Sequence, residues 1–238
     1  MSTETTGAGI PLARIESVNV GVPRAASLPA ALASGSDAPH TFLTAIAKSP
    51  VQGPVAVRTV NLAGDAQADT KHHGGPDKAV HAHFVRHLHW WGVRRGWPVA
   101  PGELGENLTL GAPAGGHPPD ETDFCIGDVL AAGSAILQVT QPRIPCFKQA
   151  AALHINDAVQ LAGETGRTGI YMRVLQEGTL QAGDALVLLE RPNARVTLAD
   201  ANRFVHQARR DVHLRSRLAA CAGLGSELRR LLAASSEG

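Results

Sequence analysis

Apolar residues fall at every second position through ARIESVNVGV (13–22), and five further runs share that tendency: TFLTAIAKSP, PVAVRTVNLAGD, ENLTL, GDVLAAGSAILQVTQ and GIYMRVLQEGTLQAGDALVLL. Gly, Pro, Asn or Asp cuts in every few residues. Period-two alternation turns one face of a strand to a core and the other to water. Strands this short and this frequent must close on one another to protect their edges, so the pattern predicts a β-barrel or sandwich. Within the last run, EGT (177–179) is expected to turn a hairpin. The Pro/Ala/Ser/Gly-rich stretch up to His40 reads as an exposed loop.

Helical spacing interrupts the strands twice. In FVRHLHWWGVRRGW, Phe84, Leu88 and Trp91 are spaced for one face of a short amphipathic helix. FKQAAALHINDAVQLAGETG (147–166) reads as helix closing at Gly163 or Gly166. After Arg191-Pro192 the character changes. Thr197 and Asp200 stand in capping-box spacing, Leu214, Leu218 and Cys221 share a face, and Ser226 is a good N-cap for SELRRLL. Three helices this short cannot bury their faces alone and must pack on one another or on the body. The chain is therefore mainly β with α, a β-barrel body over 1–191 followed by a small C-terminal helical bundle over 192–238.

Charge follows the same division. Residues 1–190 carry 13 Lys/Arg against 17 Asp/Glu, and residues 191–238 carry nine against four, so a mildly acidic body bears a basic tail. Such a tail suits an acidic protein partner, nucleic acid or a solvated face, and charge alone favours none of them strongly; nucleic acid is not the reading adopted. No apolar run approaches the roughly 20 residues of a membrane span. MSTETTGAGIP lacks the basic and apolar regions of a signal peptide. Three widely spaced cysteines do not form a disulfide framework, so a reducing cytoplasm is the expected compartment.

Cys146 is the residue that least resembles packing. In QPRIPCFK, Pro145 holds Ile144 extended and stops a helix from running through it, so the thiol is expected at the start of the following helix. Arg143 and Lys148 flank it, and cations and free helix amides favour thiolate, the form that attacks electrophiles and ligates soft metals. The bland alternative is a small residue ending a strand. Cys125 and Cys221 lie in apolar patterns and read as core.

In DTKHHGGPDKAVHAHF (69–84), His72, His73, Asp77 and Lys78 gather around a Gly-Gly-Pro turn. A base, an acid and a cation on one turn suit proton transfer or phosphate holding, although a solvated polar turn is the commoner outcome. His81, His83, His87 and His89 could be imagined around zinc, but no Cys pair or spaced carboxylate completes the set, and packing is the better reading. In GENLTL, Asn107 and Thr109 share one side of a strand, and inward polar groups there need something to bind. Arg167 lies in a Gly-bounded turn where a guanidinium can meet an anion.

Taken in order, KSPVQGPVAV, GDAQADTKHHGGPDKAV, GENLT, CIGDVLAAGSAILQVTQPRIPCFK and TGRTGIYMRVLQEGTLQAGD resemble the MOSC domain of the YiiM type, from about residue 48 to 191. The tail is similar to the three-helix domain that follows it in that subfamily. The resemblance implies a MOSC-type β-barrel, a homodimer, and a molybdenum cofactor (molybdopterin) whose metal is ligated by Cys146. It implies reduction of N-hydroxylated compounds such as hydroxylamino-purine base analogues. His73, Asp77 and Lys78 then fall to proton supply or substrate orientation, and Asn107, Thr109, Arg143 and Arg167 to holding the pterin or its phosphate. Where many relatives have a Tyr-Pro pair after HGGPDKAV, this chain has His81–Phe84; where many have Trp after the cysteine, it has Phe147. The chain carries no Walker or GxGxxG fingerprint, so electrons are expected from a partner such as a flavoprotein reductase. Two alternatives stay open: a sulfur carrier with a Cys146 persulfide, and a cofactor-binding protein without turnover.

Overall fold

The first strand, β1 (Ile10–Val20), is the longest among the described residues, and its inward positions Ala13, Ile15 and Val18 are buried. This computed structural model describes residues 9–33, 39–70 and 73–234; His72 and positions 34–38 of the expected loop lie outside them. After β1 come β2 (Arg24–Ser27), α1 (Ala30–Ala33), β3 (Thr41–Thr44), β4 (Ser49–Val51) and β5 (Val55–Val57). A 3-10 turn, Pro76–Lys78, leads into β6 (Val80–Phe84), α2 (Val85–Arg95) and β7 (Leu108–Gly111). The body continues with β8 (Val129–Ala132), β9 (Ala135–Pro142), α3 (Phe147–Leu153), α4 (Ala158–Thr165), β10 (Ile170–Gln176), β11 (Gly178–Leu180) and β12 (Ala185–Glu190). The tail forms α5 (Leu198–His206), α6 (Val212–Ala219) and α7 (Ser226–Ala234).

Seven strands close into a barrel in the order β12-β8-β9-β10-β6-β7-β1, with β1 returning to β12. Ile10 pairs with Leu188 and Ile15 with Leu110, so one strand joins both edges of the sheet. The barrel pairings are antiparallel except β6 with β7, where Ala82 faces Leu108. That parallel pair is joined through α2, as a same-direction return demands a crossover. Alternate residues of the barrel strands fill its interior, and Phe204, Leu214, Leu218, Leu228 and Leu232 of the tail belong to the same apolar cluster. A second cluster joins Leu88 and Trp91 of α2 to Leu153, Ala158 and Ala162. No helix among the described residues is long and apolar enough to cross a membrane.

Several local expectations change in the folded chain. TFLTAIAKSP breaks into β3 and β4, and β3 pairs with β2 from within the expected loop. EGT does not turn a hairpin. β10 pairs with β6 and β9, while β11 leaves it for β5, with Gly178 opposite Val57. The single residue between them, Glu177, bonds instead to Thr59, whose amide and hydroxyl donate at 2.8 and 2.9 Å. The helix expected over 147–166 divides at His154, which takes a left-handed conformation (φ 57°). Its second half does close at Gly166 (φ 70°). Thr197 and Asp200 form the expected capping box.

The amide of Ser226, at the start of α7, is satisfied from far upstream, donating to Asp77 Oδ2 at 2.7 Å. Arg173 holds the other carboxylate oxygen at 2.8 Å, and the Thr140 hydroxyl donates to the Asp77 carbonyl at 2.7 Å. Asp77 thus anchors the tail to the barrel. Replacing it with Ala strips an ion pair and a helix-terminal acceptor together, with an expected stability loss of about 1–3 kcal/mol. Hydrogen exchange should rise first in α7; unchanged protection of α7 amides would show that the anchor is elsewhere.

Candidate functional site

Two prolines set the geometry around the cysteine. β9 ends at Pro142, and Pro145 keeps the chain extended until Cys146, the N-cap of α3 (φ −137°, ψ 173°). The thiol consequently stands at the head of a short helix, as its sequence context suggests. It faces a cleft enclosing about 560 Å³. His73 approaches it from the Gly-Gly-Pro turn, with Nε2 3.6 Å from Sγ.

The wall of this cleft is cationic. Lys48, Lys78, Arg143 and Lys148 all line it. Lys48 is neutralised by the fully buried Asp65, and Lys78 by Glu227 of α7. Arg143 is different. It is buried, its guanidinium donates to Gln149 Oε1, and no carboxylate among the described residues pairs with it. A desolvated guanidinium with only neutral protein partners is costly, and an anionic ligand would relieve it. His81 adds an unsatisfied atom: its buried Nε2 has no partner, and the residue lines the same cleft.

Burial and this positive field govern the ionisation of nearby groups. His73 is driven down to about 4, first by burial and then by Arg143, Lys148 and Lys78, so its imidazole is neutral at pH 7. Burial also lowers Lys48, though Asp65 opposes the shift. Tyr171 is pushed up by burial, which outweighs Arg143 beside it, and keeps its phenolic proton.

The eight residues singled out by sequence fall into two groups. Cys146, His73, Lys78, Asn107 and Arg143 meet at the cleft. Asn107 is committed internally: its Nδ2 donates to Asn19 O at 3.2 Å and Asp65 Oδ2 at 2.9 Å, while Oδ1 accepts from the His81 amide at 3.1 Å. Asp77 is held by Arg173 and Ser226, and it does not line the cleft. Thr109 is absent as well; its hydroxyl donates to Glu106 at 3.0 Å and accepts from Asn19 at 3.1 Å, on the face of β7 opposite the core residues Leu108 and Leu110. Arg167 stacks over Trp90, 4.7 Å from the ring centroid, and lines a separate cleft with His87 and Glu121. These three, read from sequence as an acid, an inward polar group and an anion-facing guanidinium, are engaged by contacts within the protein and do not line the cleft.

Lys48, Asp65 and Tyr171 were not singled out. Lys48 opens KSPVQGPVAV and Asp65 ends NLAGD, which are their only sequence signals. Tyr171 arrives by strand register, paired opposite His81 on β6 and Gln141 on β9. Gly169, just before it, must be glycine (φ 84°), since a Cβ there would lie 2.5 Å from Ala82 O and 2.9 Å from His81 Nε2. Cys125 is buried and Cys221 partly so; burial pushes both thiols up, Cys221 to about 11. No group of three or more His, Cys, Asp or Glu side chains among the described residues could hold a metal ion by itself. His81, His83 and His87 instead pack edge to face, with ring centroids 5.9 and 5.3 Å apart.

A family model described as the MOSC domain matches residues 69–187. The uncharacterized protein YflK of Bacillus subtilis is 36% identical over 186 residues, spanning 78% of this chain and 81% of that protein. Protein YiiM of Escherichia coli is 34% identical over 196 residues, 79% of this chain and 83% of its own length. A protein of Gibberella moniliformis named reductase is 33% identical over 187 residues, which are 76% of this chain but 31% of the relative. The crystal structure of YiiM from Geobacillus stearothermophilus superimposes with a TM-score of 0.73 at 31% identity, covering 94% of this chain and 98% of the other.

The buried ionisable groups give the molecule a definite acid sensitivity. Burial drives His81 and His83 well below the ordinary value and His87 to about 3, so unfolding lets all three take up protons below pH 6.5. Burial raises Glu106 and Glu121 to about 7, which works the other way: folding binds protons as pH falls through 7. With His73 and His206 lowered by burial in the same sense, five histidines outweigh two carboxyls, and stability should fall by roughly 2–4 kcal/mol between pH 6.5 and 5. Urea unfolding at the two pH values checks this; stability that rises on acidification would contradict it.

Proposed function

The chain belongs to the MOSC domain family, and from that premise we propose that it is an oxidoreductase that holds a pterin-based molybdenum cofactor and reduces N-hydroxylated compounds. Hydroxylamino-purine base analogues are the expected type of substrate. The overall reaction takes R–NHOH with two electrons and two protons to R–NH2 and water.

The observation that carries this reading is Cys146 at the edge of a cleft whose buried Arg143 has no carboxylate partner among the described residues. The residues present fit the group. A thiolate suits a soft metal position, and Arg143 with Lys148 suits a phosphate. His81 Nε2 offers an unsatisfied buried ring nitrogen to the pterin. When bound, the cofactor supplies two-electron redox chemistry. The protein supplies the rest: Cys146 ligates the metal, and Asn107 with Asp65 fixes the wall behind it. His73 stays neutral beside Sγ and can exchange a proton there through Nε2. Tyr171 lines the cleft, keeps its hydroxyl proton and would supply it to the leaving oxygen.

The Gibberella relative named reductase, of which the matched region is 31%, supports reductive chemistry. In this chain electrons are taken to come from a separate flavoprotein reductase, for which the basic tail offers complementary charge. A homodimer in the cytoplasm, where three free thiols persist, completes the proposal.

The test is molybdenum content and N-hydroxyl reduction of the wild type, Cys146→Ser and Arg143→Ala, all produced in a host that makes the cofactor, with a reduced viologen as electron donor. Molybdenum in the wild type, none in Cys146→Ser and at least a tenfold loss in Arg143→Ala are expected, together with reduction of 6-hydroxylaminopurine by the wild type alone. Metal in none of them, with a reductant-labile mass increment of one sulfur on Cys146, points to the sulfur carrier. Equal metal in wild type and Cys146→Ser rules out this ligand.

A further inference from the structure

The alternation of β6 divides its side chains. Val80, Ala82 and Phe84 join the apolar core, which leaves His81 and His83 on the other face, and His87 follows in the first turn of α2. The three imidazoles form a buried row, none more than 4% exposed. Its two ends open on clefts that share no lining residue. His81 lines the cleft beside Cys146, and His87 lines the second cleft, about 690 Å³, between Glu121, Arg167 and α5.

Packing alone does not account for this row. One nitrogen of each ring, His81 Nε2, His83 Nε2 and His87 Nδ1, is buried without a hydrogen-bond partner, a cost that a stack of apolar side chains avoids. The remaining nitrogens fix two tautomers. His83 Nδ1 accepts from the Phe84 amide at 3.1 Å, so the ring proton sits on Nε2. His81 bonds to the Gly105 backbone through its other nitrogen, which leaves Nε2 as a lone pair. A free donor and a free acceptor thus stand on adjacent rings. Gly169 keeps the space beside both open: a Cβ there would lie 2.9 Å from His81 Nε2 and 3.2 Å from His83 Cδ2.

The row continues at each end. Beyond His87, Glu121 Oε2 lies 3.6 Å from Nε2, while Oε1 accepts from the Gly169 amide at 3.2 Å. Beyond His81, the Tyr171 ring is 5.1 Å away, centroid to centroid. Burial holds all three histidines neutral, reinforced by Arg143 and Lys48 at His81, by His87 and Arg143 at His83, and by Arg167 and Arg86 at His87. A neutral imidazole has one nitrogen to receive a proton and another to release one. Glu121, raised to about 7 by burial, exchanges protons at neutral pH.

We propose that His87, His83 and His81 form a proton path from the second cleft to the cleft beside Cys146, entered at Glu121 and ending at Tyr171. Resting on the reductase reading for its purpose, the path refills the Tyr171 hydroxyl after it has protonated the leaving oxygen. One proton enters at Glu121 for each one that leaves Tyr171, water in the second cleft is the source, and no electron moves along the row. The unpartnered nitrogens stand beyond hydrogen-bond reach of one another, so each hop takes a ring rotation or one bridging water. This route stays open when a bound cofactor fills the first cleft.

The experiment uses the full chain and substitutions to glutamine, which keep hydrogen bonding but pass no proton. In cofactor-free protein with isotope-labelled histidine, NMR reads deuterium exchange of the His83 ring proton against the backbone amides of β6. Wild type should exchange it at least tenfold faster than those amides, and the double variant His81→Gln/His87→Gln should lose the difference. In cofactor-loaded protein, His87→Gln and Glu121→Gln should each lower kcat for 6-hydroxylaminopurine about tenfold at unchanged molybdenum content, raise the solvent isotope effect, and regain rate with added imidazole. Glu121→Gln carries this arm by itself if His87→Gln does not fold. A wild-type His83 ring proton as slow as the β6 amides overturns the path, as does an unchanged kcat in the folded variants of a protein that turns over. Fast exchange in a wild type that reduces no N-hydroxylated compound keeps the path and removes the reductase reading instead.

Discussion

Closure of the barrel through β1 is the constraint on which the rest of the molecule depends. This strand pairs with β12 near its start, β7 through its middle and β4 at its end. With those pairings made, the seven-strand sheet has no free edge, and the register of its strands is fixed. Register is what brings chemistry together here. It sets Tyr171 opposite His81 and carries Asn107 to the His81 backbone, whose carbonyl accepts from the Asn107 amide at 2.7 Å. The cleft beside Cys146 follows from pairing distances along the strands.

Buried positive charge is the second organising feature, and among the described residues the most deeply buried cations are paired with carboxylates, Arg143 excepted. Lys48 has Asp65, Lys78 has Glu227, and Arg191 has Asp128 at 2.7 Å. Such pairs are rarely net stabilising when buried, but breaking one is severe, so they act chiefly as geometric pins. Arg143 stands apart, with the neutral side chains of Gln149 and Tyr171 as its partners. The tail takes part in the same arrangement. Glu227 and the Ser226 amide reach Lys78 and Asp77 across 149 positions of sequence, so the helices that look like an appendage pin the turn that supplies Lys78 to the cleft.

Much of this was legible in the residues themselves. The barrel body, the C-terminal helices, the capping box at Thr197 and the unusual placement of Cys146 all depend on signals within a few positions: alternation, caps and prolines. The errors share one cause. EGT has the residues of a hairpin turn, yet β11 finds a better partner in β5, and His154 breaks a helix that its neighbours favour. Asp77, Thr109 and Arg167 carry the right functional groups, but the partners that occupy them, Arg173, Glu106 and Trp90, come from other elements.

The sequence by itself determined that many short strands would precede a set of C-terminal helices, that one cysteine would stand at the head of a helix, and that cations would be near it. Those are local outcomes of backbone sterics, side-chain periodicity and helix termini. Only the tertiary structure decided which cations have counter-ions, which polar groups face the cleft, and that a glutamate from the last helix would hold Lys78 there. Those outcomes depend on which distant residues the barrel register sets side by side. That register is fixed by burial of the whole apolar set at once, and no short stretch of the chain contains it.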